Sequence, residues 1–379
     1  MNHDRERKNR MSLASAWSYQ LRHSLLDLIY DDLRLSRTEG READFVFDGL
    51  HVQCRRDWPE DPALVQQWEQ LCADCPNATP FHSHAWQRAI HDGLNAHLFR
   101  LILVYDGRRL LAGLPLRINS EGYIESIGED VSDYLEPLIL PAESHRCWKA
   151  LLAFLRDRWD RRLKGIHLHN FRPEMPCLDL LPIVANEQGF DCIRQMTQST
   201  ARIALGHTWE TYLVSLQTHQ RKELRRKLKK AHAAGAQLNC CDDPDEIERQ
   251  MPAALRIMGS HDRSKRRAVR GVLESFLIRA AGSLARAGAL RLHWLKVKEE
   301  LAAVLIVLPT PAGPMLWNCG YDERFAAISP GIVTFALTIR QSIEQQLAMV
   351  DLLRGPEPYK LHLGATQSPL YRLTLTPRV

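Results

Sequence analysis

No stretch of this 379-residue sequence stays apolar long enough to cross a bilayer. The most apolar run, Leu301 to Leu308, falls far short of the roughly 20 residues that a membrane helix needs. Behind the polar, charged start from Met1 to Arg10 there is no apolar region of the kind that marks a secretory leader. No charge of one sign dominates: 50 Lys and Arg against 45 Asp and Glu leave a formal +5, too modest and too clustered to imply nucleic acid. Cysteine offers no disulfide framework, since nine thiols scattered along a long chain fit a reducing compartment. A zinc set is missing too. Cys72-x-x-Cys75 is followed by His82 and His84, but a single residue separates those histidines where zinc spacing uses roughly three to five. The expectation is a soluble, cytoplasmic protein without a metal.

With 45% apolar and 25% charged residues the composition is that of an ordinary globular chain, and its length suits two cores. Leu13 to Leu35 has helical spacing of its leucines, and Asp27, Asp31 and Asp32 make packing onto the body a better use for it than an anionic bilayer. Peripheral membrane contact stays open there. Internal similarity carries more. Leu98 to Tyr105, the hairpin signal Asp106-Gly107 and Leu110 to Ile118 form one strand pair. Leu290 to Val297, Lys298-Glu299-Glu300 and Leu301 to Leu308 form a second, with Leu111-Ala112-Gly113-Leu114 matching Leu301-Ala302-Ala303-Val304. Each hairpin is followed by a helix and a strand: Ser144 to Leu163 then Gly165 to His169, and Pro330 to Leu347 then Met349 to Leu353. A last strand closes each half, around Ser199 to Leu205 and Tyr371 to Thr376. This order predicts an α/β protein of two tandem mixed-sheet units. The divisions expected are a helical extension at 1–44, a first unit at 45–205 and a second at 206–379, opening on a helical segment from Trp209 to Gly235.

Several positions invite chemistry. Lys360 follows Gly355-Pro356-Glu357-Pro358 at a strand end, where a cation could stabilise a carbonyl oxyanion or simply sit on a surface turn. Tyr359 could pack a reactant or protonate a leaving group. Asp351 interrupts an apolar run, so it needs a partner and reads better as an ion-pair anchor than as a general base. Arg221, Arg225 and Lys229 repeat at helical spacing, a stripe suited to phosphates or to plain solvent, without the aromatic interleaving that nucleic acid uses. His261 beside Asp262 is a candidate base, although neighbours on a helix do not face one another. Ser329-Pro330-Gly331 reads as N-cap and first turn of a helix whose free N–H groups could receive an anion. His167 and His169 share one face of a strand and read as a satisfied core pair.

Three segments carry a family resemblance: Trp209-Glu210-Thr211-Tyr212-Leu213 with Arg221-Lys222-Glu223-Leu224-Arg225-Arg226; Gly320-Tyr321-Asp322 running to Ser329-Pro330-Gly331; and Asp351 with Arg354-Gly355 and Tyr359-Lys360. In this order they resemble the acetyltransferases associated with bacterial cellulose biosynthesis, a branch of the Gcn5-related N-acetyltransferase (GNAT) superfamily. That branch is similar to the peptidoglycan-bridge aminoacyltransferases, which duplicate the fold. The resemblance implies two GNAT-like units and transfer of an acyl group, usually from acyl-CoA, to an amine or hydroxyl in surface polysaccharide or envelope lipid metabolism. It implies Lys360 beside Tyr359 as a pair that assists the carbonyl; with Asp351 and His261 these are the catalytic candidates, and Arg221, Arg225, Ser329, Gly331 and Gly355 are the donor-binding ones. The acceptor would be a small molecule or lipid. A departure bears on the donor, because neither half contains an Arg/Gln-x-x-Gly-x-Gly/Ala pyrophosphate loop. An aminoacyl-tRNA donor, or a non-catalytic role beside a polysaccharide synthase, are the alternatives.

Overall fold

The computed structural model describes residues 43–93, 99–158, 163–259 and 274–378. The expected helix from Leu13 to Leu35, the extension around it and His261 with its basic cluster lie outside these residues. Among the described residues fourteen strands form one mixed sheet in the order β1-β2-β3-β4-β5-β7-β14-β8-β13-β12-β11-β10-β9, with β6 (Leu138–Ile139) pairing off this path with β4.

The first half supplies β1 (Ala43–Phe47), β2 (Leu50–Arg55), β3 (Phe99–Asp106), β4 (Arg109–Ile118), β5 (Tyr123–Ser126), β7 (Gly165–Phe171) and β8 (Phe190–Ala204). Asp48-Gly49 takes positive φ at both residues, the geometry that a two-residue hairpin between right-twisted strands requires. Between these strands run α1 (Pro62–Asp74), α2 (His84–Gly93), α3 (Ser144–Asp157) and α4 (Cys177–Glu187). Apolar spacing places Trp148, Leu151, Phe154 and Leu155 of α3 in the core. Gly113 on β4 matters for a steric reason, since a Cβ there would meet the Trp68 ring at 2.3 Å.

The second half repeats the order. It supplies α5 (Trp209–Ser215), α6 (Thr218–Ala233), β9 (Ala236–Cys241), α7 (Pro244–Met258), α8 (Glu274–Arg286), β10 (Arg291–Val297), β11 (Glu300–Leu308) and β12 (Met315–Tyr321), then α9 (Pro330–Glu344), β13 (Met349–Arg354), α10 (Pro358–His362) and β14 (Thr366–Pro377). The expected segment from Trp209 to Gly235 is therefore two helices, split at Leu216, which adopts an extended backbone. In both halves an antiparallel hairpin is extended by a third antiparallel strand, and a helix then crosses over to a parallel one: β5 beside β7, β12 beside β13. The fold is thus α/β with two tandem GNAT-like units. Position 206 lies between β8 and α5, yet the sheet does not divide there. β14 crosses back to lie between β7 and β8, and β8 reaches forward to β13. Each half completes its sheet with a strand from the other. Among the described residues no helix is long and apolar enough to cross a membrane.

His293 on β10 is 6% exposed, with Nδ1 3.0 Å from Thr338 Oγ1 on α9. Burial, aided by Arg291, pushes its pKa down to about 4. The folded state keeps it neutral while the unfolded chain protonates near 6.5, so its contribution is intact above that pH and shrinks as pH falls toward 4. We expect a loss on the order of 2–3 kcal/mol across that window from this residue. His293→Gln should flatten the dependence of melting temperature on pH; parallel profiles for both proteins would refute this assignment.

Candidate active site

The two parallel pairs differ in one respect that creates a cleft. β5 and β7 run together through Tyr123↔Gly165, Ile124↔Ile166 and Glu125↔His167. β12 and β13 share only Met315↔Asp351. Two irregularities drive β12 and β13 apart. The β11–β12 register slips between Ile306 and Val307, leaving Trp317 as the extra residue, and the β13–β8 register slips between Asp351 and Arg354. A bulge bends its strand and interrupts the ladder. Beyond Met315, β12 has no further register partner on β13. The resulting cavity measures about 970 Å³.

One end of the gap is closed by the start of α9. Ser329 occupies the N-cap position, but in the left-handed conformation (φ 54°), and its hydroxyl makes no capping bond. This corrects the expectation of a side-chain cap: the αL backbone points the hydroxyl elsewhere, and Ser329 lines the cavity instead. Pro330 has no N–H, and Val333 N donates to Ser329 O. The N–H groups of Gly331 and Ile332 are left without an intrahelical acceptor at the positive end of the helix dipole, and both residues line the cavity. A helix start of this kind receives anions without a glycine-rich loop.

The other wall is the turn from β13 into α10. Leu353 is held at φ 60°, a conformation that costs a non-glycine residue roughly 1–2 kcal/mol. Two buried charges hold it there. Leu353 N donates to Asp351 Oδ1 at 2.8 Å, and Lys360 Nζ donates to Leu353 O at 3.0 Å. Lys360 is 2% exposed; its ammonium also donates to Arg354 O and lies 3.0 Å from Glu357 Oε2. Asp351, equally buried, accepts from Tyr134 Oη at 2.7 Å and from Arg202 Nε at 3.0 Å. Gly355 follows at φ 122°, where a Cβ would strike the Glu357 carboxylate. Tyr359 packs on Phe335 with centroids 5.1 Å apart, and burial pushes its hydroxyl pKa well above the ordinary value, with Glu357 adding to the effect.

The first half contributes the remaining wall through residues 127–137. Asp133 pairs with Arg354, whose Nη2 also donates to Glu129 O at 2.8 Å. Glu129 and Asp130 add carboxylates to the same rim. Arg354 and Lys360 each have an acidic partner already, so this side of the cleft favours a cationic guest.

Of the residues nominated from sequence, Lys360, Tyr359, Ser329, Gly331 and Gly355 line the cavity. Asp351 stands behind the wall, its oxygens occupied by Arg202, Tyr134, Thr200 and Leu353 N. Arg221 and Arg225 do not line the cavity; Arg225 pairs with Glu210 on the surface. His82 is engaged by Thr79 and Glu136 O, and His84 by Pro59 O, which accounts for both without a metal. The acidic loop with Glu129, Asp130 and Asp133, and Gln198 on β8, went unnominated. Only the sequence Gly128-Glu129-Asp130-Val131-Ser132-Asp133 hinted at the loop, and nothing local to it names a partner two hundred residues away.

Residues 218–361 match the family model described as acetyltransferase (GNAT) domain. The matched stretch contains β12, α9 and β13 and runs into α10, so the likeness falls on the part of the second half that builds the cleft. Among solved structures, FemX aligns at TM-score 0.54 with 11% identity, over 82% of this chain and 95% of that one. The C-terminal domain of a protein assigned as a lysylphosphatidylglycerol synthetase from Agrobacterium fabrum aligns at TM-score 0.54 with 8% identity, over 82% and 90%. A tandem GNAT protein from the clavulanic acid biosynthesis pathway aligns at TM-score 0.48 with 14% identity, over 86% and 98%. The first two likenesses establish the fold. No curated protein matches the chain.

Proposed function

We propose that this protein moves an acyl group from acyl-CoA to an amine held in the cleft between β12 and β13. The observation that carries the proposal is the pairing, in one cavity, of an anion-accepting helix start at Gly331 and Ile332 with a carboxylate rim at Glu129 and Asp130. The first suits the donor's pyrophosphate. The second suits an amine that arrives protonated, and Glu129 is positioned to take its proton. The nitrogen then forms its bond to the thioester carbonyl, negative charge gathers on the carbonyl oxygen, and the carbon–sulfur bond breaks. A main-chain N–H at the Trp317 bulge, which lines the cavity, is suited to that oxygen. Tyr359, which lines the cavity, can donate a hydrogen bond to the departing thiolate, and the thiolate takes up the second proton that the nitrogen sheds as the amide forms. Lys360 serves by holding the β13–α10 turn, and holding two reactants in one cleft supplies much of the rate.

A cytoplasmic setting fits this donor, and all nine cysteines are free thiols. The resemblance to cellulose-biosynthesis acetyltransferases is what supports an acceptor from surface polysaccharide or envelope lipid metabolism. Purified protein given acyl-CoA and a panel of amines should release free thiol, and neutral alcohols should be poor acceptors. Release from none of them would redirect attention to an aminoacyl-tRNA donor or a non-catalytic role. Gly331→Glu adds a negative charge beside the helix start, where a Cβ has room, its nearest neighbour being Tyr321 at 3.5 Å. The KM for acyl-CoA should rise about tenfold with kcat little changed. An unchanged KM would remove α9 from donor binding.

A further inference from the structure

We propose that Glu125, His167 and His169 bind one divalent transition-metal ion, zinc in preference, on the first half's counterpart of the catalytic strand pair. Glu125 and His167 are register partners on β5 and β7, and His169 lies two residues along β7 on the same face. One ligand atom from each of the three lies within 4.8 Å of the other two. His169 is 6% exposed and its Nε2 has no hydrogen-bond partner. Glu125 Oε2 stands 3.8 Å from that nitrogen, too far for a hydrogen bond. Two ligands of one tetrahedral zinc ion stand roughly 3.4 Å apart, so a small inward shift would let both reach it.

The surroundings are those of a supported ligand set. His169 Nδ1 faces Glu129 Oε1 at 3.4 Å, the arrangement in which a carboxylate fixes an imidazole with its lone pair on the opposite nitrogen. Glu125 is oriented by Arg117 Nε on Oε1 at 2.7 Å and by Asn119 Nδ2 on Oε2 at 2.8 Å. His167 stacks on Tyr123 with centroids 4.0 Å apart, which fixes its ring plane. Arg117 opposes any cation, and that weighs most against calcium or magnesium, which bind through oxygen alone. Two imidazoles and one carboxylate instead suit zinc or its neighbours in the transition series. Three protein ligands leave a coordination position open, unlike a closed structural site. Glu129 joins the ion to the acyl-transfer cleft, since it lines that cleft and faces His169.

The test reads binding rather than turnover, so it stands or falls apart from the acyl-transfer proposal. Chelator-stripped full-length protein without a histidine tag is titrated with Zn²⁺ and Co²⁺ against a chromophoric chelator. One equivalent should bind, and the cobalt spectrum should show ligand-field bands without thiolate charge transfer. His167→Ala and His169→Ala should each weaken binding at least 100-fold. Glu129→Gln, which keeps all three ligands and removes little from the fold, should weaken it about 10- to 100-fold. No binding at micromolar metal would overturn the site and leave an ordinary Glu–His contact. Binding that survives both histidine substitutions, or that carries thiolate charge transfer, would overturn it in favour of the cysteines.

Discussion

Lys360→Met should destabilise this protein by about 2–4 kcal/mol, the cost of leaving buried main-chain carbonyls without their donor. Lys360 is 2% exposed and its ammonium reaches Leu353 O, Arg354 O and the Glu357 carboxylate. Without it the two carbonyls lose their donor in a dry place, and Leu353 loses one of the two bonds that hold its left-handed backbone. Lys360→Arg should not rescue the fold, because a planar guanidinium fork cannot reproduce the convergence of one compact ammonium on neighbouring carbonyls. Thermal or urea melts of the purified variants measure this directly. Activity should fall with stability and recover partly on cooling. An unaltered melt with turnover reduced more than a hundredfold would be the opposite result and would return the ammonium to catalysis at the carbonyl.

The hairpins were legible because their information is local. Asp106-Gly107 and the alternating run after it specify β3 and β4 within twenty residues, and the repeat of that pattern at β10 and β11 revealed the second unit. Asp48-Gly49 carries the same signal for β1 and β2 and passed unnoticed, because the apolar run before it, Phe45-Val46-Phe47, is only three residues long and follows the charged Arg41, Glu42 and Asp44. Strand exchange was not legible at all. β14 pairs with β8 from Thr366↔Arg202 to Pro377↔Phe190, and no periodicity in either strand names the other. The split between α5 and α6 escaped for a related reason. Leu216 continues an apolar helical pattern, and its extended backbone is set by packing into the core beneath Gly364, whose Cβ would meet it at 2.6 Å.

Site residues divided along the same line. The α9 start was readable from Ser329-Pro330-Gly331, although the left-handed Ser329 was not. Lys360 drew attention as a cation at a strand end, and its burial came from the bulge at Leu353, which brings the Leu353 and Arg354 carbonyls to one point. For the basic stripe on α6 spacing gives direction without destination: Arg225 lies away from the cavity and pairs with Glu210 at the surface. The acidic rim is a product of tertiary structure, because Glu129, Asp130 and Asp133 acquire meaning only when the loop after β5 reaches the β12–β13 gap.

Asp351→Ala should cost about 3–5 kcal/mol, and its effect should be felt in both halves at once. The carboxylate joins Tyr134 of the first half's loop, Thr200 and Arg202 of β8, and the backbone of Leu353. Removing it leaves Tyr134 Oη one acceptor short and frees the Leu353 bulge, although Arg202 keeps Glu174 at 2.7 Å. Because the carboxylate does not line the cavity, activity should follow the folded fraction rather than show an independent loss. The clean measurement is a double-mutant cycle between Asp351→Leu and Arg202→Met. If the pair is a mutual anchor, the double variant should be more stable than the sum of the single losses predicts, by about 1–3 kcal/mol. Additive losses would mean that Arg202 is held by Glu174 and the Tyr134 ring, and that Asp351 acts through Leu353 alone. In that case the bulge, and not the junction between the halves, is what the carboxylate maintains.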